Sequence, residues 1–204
     1  STYFLAFGAA QLPLGMLLDR FGPRRVEAGL LLLAAAGAAV FALADGLGGL
    51  AVGRALIGLG VSACLMASFK AFAQWFPPER QASLTGWIMA SGGLGALAAS
   101  KPLEFALGFA GWREIVFCLA VITLLVAAAL FFFVPDKQEA SSAGGFREQM
   151  AGVRTIFGSA HFWRYGPMGL CFTGGFMAVQ GLWASRWMSV LEGIDGAGIA
   201  ARLT

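Results

Sequence analysis

Long apolar runs separated by short polar or glycine-rich breaks fill this chain from one end to the other. Residues 3–18 form the first run, interrupted only by Gln11 and Pro13, and predict a helix kinked at the proline, whose freed carbonyl finds another partner. The stretch GMLLDRFGPRR at 15–25 then turns the chain sharply, because Gly22-Pro23 cannot continue a helix. Residues 28–44 predict a second helix, ending at the glycine-rich turn 45–49, and residues 50–72 a third. After the break QWFPPER at 74–80, residues 82–107 predict a fourth helix. The uncharged run 115–134 predicts a fifth, about 30 Å long and matched to the hydrocarbon core of a bilayer. A small, polar linker follows at 135–145. Phe146, Met150, Val153 and Phe157 then recur at helical spacing opposite Arg147, Glu148 and Arg154, the pattern of a helix lying on a membrane surface. A sixth run covers 165–185, with Trp183 and Trp187 at its far interface, and residues 196–204 read as the start of another helix.

Composition supports the same picture. The chain has 204 residues, of which 58% are hydrophobic and 12% charged, and its mean hydropathy is +0.76. A soluble surface is not made this way. The expected fold class is therefore an all-α integral membrane protein, a polytopic helical bundle with six spans. The net charge of +3 is small, and loop arginines and lysines orient membrane helices rather than recruit nucleic acid. Cys64, Cys118 and Cys171 lie singly in separate apolar runs, and His161 is the only histidine. No cofactor, metal centre or catalytic cluster is expected, and the chain does not read as an enzyme. Beginning at Ser1 without a basic leader, it reads as a fragment of a longer protein.

Charge placement gives the expected orientation. With six alternating spans, the hinge, the 74–80 loop and the 135–164 linker share one side, which carries Arg20, Arg24, Arg25, Arg80, Lys137, Arg147, Arg154 and Arg164. The other side carries Lys101, Arg113, Arg186 and Arg202, half as many. The basic excess predicts that the hinge is cytoplasmic.

Several polar residues invite function. Asp19 falls in the last turn of the first helix, where the helix dipole disfavours an anion, so a partner is expected elsewhere. Asp19, Arg20 and Arg24 read either as topogenic charges or as a gate, and the acid favours the gate because Asp contributes little to orientation. Arg54 and Lys70 share the third helix about 24 Å apart, near opposite faces. For Arg54, snorkelling to the surface and a role in a cavity or in ion coupling stand side by side. For Lys70, within two turns of its helix end, snorkelling is the favoured reading. Among polar residues inside spans, Gln11 and Gln180 rank first as cavity-lining, since an amide cannot hide its donors on its own helix as a hydroxyl does. Gly58 and Gly60 fit a loose dinucleotide fingerprint, but mid-span and with no strand before them they read as helix packing. Gly92, Ala96 and Ser100, four residues apart, predict a smooth packing face.

Taken together, these residues resemble the major facilitator superfamily of secondary transporters. GMLLDRFGPRR at 15–25 is similar to the family's loop signature, with Gly15, Asp19, Arg20, Gly22, Arg24 and Arg25 at its positions and Pro23 as a departure. Arg54 with Gly58 and Gly60 resembles the Arg-x-x-x-Gly-x-Gly pattern of the family's fourth helix, and GWREIVF at 111–117 the start of its sixth. The family's Gly-Pro pair of the antiporter fifth helix is absent. The resemblance implies helices two to seven of a twelve-helix fold. Residues 1–134 would then be the remainder of the N-terminal half, 135–164 the cytoplasmic linker, and 165–204 the start of the C-terminal half. It further implies alternating access, with Asp19 capping a helix of the other half, a segment that lies beyond Thr204. The implied partners are a small solute, a coupling proton or ion and the lipid bilayer, with no nucleic acid and no oligomeric state indicated. The rival reading is a transport-inactive relative acting as a membrane sensor or scaffold.

Overall fold

The computed structural model describes residues 2–135 and 146–179, together with Trp183, Trp187 and Val190. Among the described residues there are helices and no strands: α1 (Thr2–Phe21), α2 (Pro23–Leu43), α3 (Leu47–Gly60), α4 (Cys64–Trp75), α5 (Pro78–Ala98), α6 (Lys101–Leu107), α7 (Trp112–Phe133), α8 (Phe146–Gly158) and α9 (Ala160–Ala178). Among the described residues, four helical runs are long and apolar enough to cross a membrane: Pro23–Leu43, Leu47–Trp75, Pro78–Leu107 and Trp112–Phe133. Of the six expected spans, α1 and α9 fall outside that set although they are 20 and 19 residues long. Gln11, Asp19 and Arg20 dilute the first, and His161, Arg164 and several glycines the second.

The chain divides into two compact units, residues 1–92 with 106–143, and residues 93–105 with 144–204. In the first, α2 is the central element. It packs on α3 and α7, more lightly on α4 and α1, and α1 packs on α3. The reason lies in its small residues: the buried face of α2 includes Ala28, Ala34, Ala35, Gly37 and Ala42. A Cβ built on Gly37 would stand 2.6 Å from the Leu56 Cβ and 2.8 Å from the Ile57 backbone nitrogen. One built on Gly60 would lie 2.6 Å from the Ala34 Cα. Backbones meet here, which only glycine permits. On α7, Ala120 and Ala127 are buried while Leu124, Leu125, Phe132 and Phe133 face outward, as lipid contact requires. In the second unit α8 packs on α9, where the Trp163 indole N–H donates to the Phe157 carbonyl at 2.7 Å and the Phe157 and Phe162 rings lie 4.9 Å apart.

Two of the expected helices are broken. The third divides at 61–63, between α3 and α4, where glycines weaken the helix and the Ser62 hydroxyl bonds back to the Leu59 carbonyl. It also starts earlier, at Leu47, so the glycine-rich turn is shorter than predicted. The fourth divides at 99–100, because Pro102 has no N–H to give to the preceding turn. Ser100 lies in that break, its hydroxyl donating to the Leu97 carbonyl at 2.7 Å, so the four-residue stripe through Gly92 and Ala96 ends before it. The linker 136–145 lies outside the described residues.

Candidate functional site

At the hinge end of the bundle, Gly22 carries the turn. Its φ of 79° is positive, alone among the described residues, and Pro23 follows at the first position of α2, where a fixed φ and a missing N–H do no harm. The Gly22 N–H still reaches back to the Leu18 carbonyl at 3.1 Å, so α1 closes fully before the chain reverses. This places the charges of the hinge on two helix ends, Asp19 and Arg20 on α1 and Arg24 and Arg25 on α2.

Asp19 forms an ion pair with Lys70 of α4. The acid expected to find its partner beyond Thr204 thus has one within the chain, and the lysine read as snorkelling is the residue that supplies it. A cation there also offsets the unfavourable carbonyl end of α1. Both side chains remain partly exposed, a setting in which such a pair contributes about 0.2–1 kcal/mol. Arg24 reaches α7: its Nε donates to the Phe131 carbonyl at 2.9 Å, a second guanidinium nitrogen bonds the same oxygen, and the group lies 5.0 Å from the Phe131 ring centre. That carbonyl is in the last turn of α7, where cations are favoured. Arg20 sits 5.4 Å from the ring of Phe21, and Arg25 lines a shallow cleft with Phe131 and Phe132. Gly15 has open space around its backbone.

Between the ends, Gln11 spends both amide protons on backbone, donating to the Phe7 carbonyl at 3.3 Å and to the Ser62 carbonyl at 3.2 Å. It ties α1 to the break between α3 and α4. Gly58 packs on the Tyr3 carbonyl in the same region. At the opposite end, Arg54 lies exposed on α3 with its guanidinium 5.3 Å from the Phe41 ring centre. It lines a cleft of ≈ 410 Å³ with Tyr3, Phe41, Val116 and Thr123. Nearby, Arg113 donates to the Ala44 carbonyl at 3.0 Å and pairs with Asp45 at 3.1 Å, and Trp112 packs edge-on against Phe41. The N–H of Gly111 is capped by Glu114 at 3.2 Å. Gly92 meets nothing within 4 Å, and α5 buries no residue. Gln180 lies outside the described residues.

One residue escaped the sequence reading. Glu27, on the second turn of α2, is 8% exposed, and its Oε2 has no hydrogen-bond partner among the described residues. It lines a cavity of ≈ 250 Å³ at the hinge end with Arg24, Ser68, Phe72 and Trp75. A lone acid beside the hinge arginines carries no local signal of its burial. Only the packing of α2 against α4 turns it inward.

A bundle of long apolar helices with a charged hinge at one end and an arginine-lined cleft at the other defines a polytopic membrane protein. The profile of the Major Facilitator Superfamily matches residues 1–202, and the chain belongs to that family. Among curated relatives, it is 30% identical over 135 residues to a nitrate/nitrite transporter, NrtP, of Nostoc punctiforme, an alignment covering 62% of this chain and 27% of the relative. It is 29% identical over 113 residues to the hexuronate transporter of Escherichia coli K12, covering 55% and 26%. It is 26% identical over 151 residues to the probable sulfoacetate transporter SauU of Cupriavidus necator, covering 72% and 35%. The aligned part thus spans between about a quarter and about a third of each relative's length.

Proposed function

We propose that this chain is part of a secondary transporter that moves a small anionic solute across the cell membrane by alternating access, coupled to a proton or ion. The observation that carries the reading is Arg54, a cation held inside an apolar span, over an aromatic ring and open to a cleft. An intramembrane charge is costly to keep without a use. The solutes for which the relatives are named, nitrate and nitrite, hexuronate and sulfoacetate, are all anions, and a guanidinium offers such groups planar, charge-assisted donors.

The hinge supplies the gate in this reading. Gly15, Asp19, Arg20, Gly22, Arg24 and Arg25 form the turn on the cytoplasmic side, and Lys70 and Phe131 are the points on which it latches. Residues 1–134 act as part of one half of the transporter, 135–164 as linker, and residues from 165 as part of the other. The face of α5 carrying Gly92 and Ala96 receives a neighbouring helix of the full-length protein.

Full-length protein in liposomes tests this. With an imposed ion gradient it accumulates nitrate or a hexuronate, and Arg54→Gln lowers the initial rate by about tenfold or more, the loss of one charge-assisted hydrogen bond. Binding without flux would favour the sensor or scaffold reading, and unchanged uptake by the variant would remove Arg54 from the path.

A further inference from the structure

We propose that Glu27 is a proton-binding site: its carboxyl is held as the neutral acid in this conformation and exchanges its proton with the hinge-end cavity, with Arg24 as the counter-charge on release. The inference deepens the transport reading by naming the coupling ion as a proton.

Glu27 is 8% exposed and its Oε2 is unpartnered among the described residues, so an ionised group there would be a buried charge without compensation, the costliest arrangement available to a side chain. The neighbouring charges are already committed. On α2 itself, Arg24 is bound to the Phe131 carbonyl, and Arg25 lines the separate cleft with Phe131 and Phe132. On α4, Lys70 pairs with Asp19 of α1, and Cys64 offers only a thiol within hydrogen-bonding reach of the carboxyl. Arg20 of α1 lies on Phe21. The charges of α3 and α7 sit at the far end, Arg54 over Phe41, Arg113 on Asp45 and Glu114 on the Gly111 N–H.

A metal cation does not fit the same place. Sodium or calcium needs about six or more oxygens, whereas the side chains lining this cavity offer oxygens only from Glu27, Ser68 and Gln74, and the cationic Arg24 lies among them. Among the described residues no group of acidic, histidine or cysteine side chains with metal-binding geometry is present. A proton needs one oxygen, which is what the site offers.

Arg24 lines the same cavity three residues from Glu27 on one helix face. When α7 shifts away, its guanidinium is freed from the Phe131 carbonyl and is near enough to stabilise a carboxylate. The acid O–H bond then breaks, the proton passes to a water molecule at the cavity mouth, and the electron pair stays on the carboxylate. Occupancy of the proton site and the state of the hinge are thereby linked.

Infrared difference spectroscopy on the full-length protein, titrated with pH in light and heavy water, tests this without any solute. A protonated-carboxyl band at neutral pH that shifts in heavy water, vanishes in Glu27→Gln and moves in Glu27→Asp is the expected result. In Arg24→Gln the band persists to higher pH, by about one unit or more, because the charge that favours the carboxylate is gone. Absence of a band sensitive to both Glu27 variants, or a titration unchanged by Arg24→Gln, would overturn the proposal. Solute flux does not enter this readout, so failure of the transport reading and failure of the proton site are separate outcomes.

Discussion

The two ends of α2 are secured by different physics. At the hinge end the ties are side-chain bonds: Arg24 to the last turn of α7, and beside it Asp19 of α1 to Lys70 of α4. Toward the other end Arg113 also bonds the Ala44 carbonyl and Asp45, but the closest ties are backbone contacts, with Gly37 facing Leu56 and Ile57, Gly53 facing Phe41, and Gly60 facing Ala34. A side-chain bond contributes about 0.5–1.5 kcal/mol and breaks by rotation of a few torsions. A glycine contact gives way only if the helices part, and protein interiors resist such strain. In the transport reading proposed above, this contrast suits a half-bundle that loosens at the hinge and pivots where the glycines pack.

The contrast breaks most readily at the pivot. Gly60→Leu in the full-length protein is expected to destabilise it by about 3 kcal/mol or more, read as a fall in thermal midpoint in detergent or as lost membrane insertion. A variant as stable as the parent would mean that α2 and α3 do not meet as closely as described. At the hinge end Arg24→Gln removes two donors and a ring contact, with an expected loss of about 1–2 kcal/mol in the same measurement. On α5, Gly92→Leu is expected to lose about 1 kcal/mol in the full-length protein through the helix proposed to pack there; no change would leave that face to lipid. Smallest is the ion pair. A double-mutant cycle with Asp19→Asn and Lys70→Gln should give a coupling of about 0.5 kcal/mol, larger at low salt. Zero coupling would dissolve the α1–α4 tie.

The helices themselves were legible because an apolar run of membrane length has one stable conformation in lipid. The hinge turn and the start of α7 were legible for a related reason: Gly22-Pro23 and Gly111 announce local geometry in local residues. The breaks were harder. Pro102 carries the local signal for one, whereas at 61–63 the local bond of the Ser62 hydroxyl to Leu59 is joined by that of the Gln11 amide to the Ser62 carbonyl, 51 residues away, which no local pattern encodes. Small residues were ambiguous in the same way. Gly58 and Gly60 meet other backbones, while Gly92 meets none within 4 Å, although both places read as packing positions in the sequence. A smooth face says that a neighbour is permitted, not that one is present.

Charges show the division most clearly. Composition and periodicity determined that this is a chain of membrane helices, and the order of hinge, Arg54 and GWREIVF determined its family, because those properties depend on solvent and on residues adjacent in sequence. Which acid meets which base was decided only by tertiary structure. Asp19 took Lys70, Arg24 took a carbonyl of α7, and Glu27, three residues from that arginine, was left buried with an oxygen unpartnered among the described residues. Each outcome depends on the direction in which a helix face points once α2 is packed, and in a low-dielectric interior that direction separates an interfacial charge from a proton site.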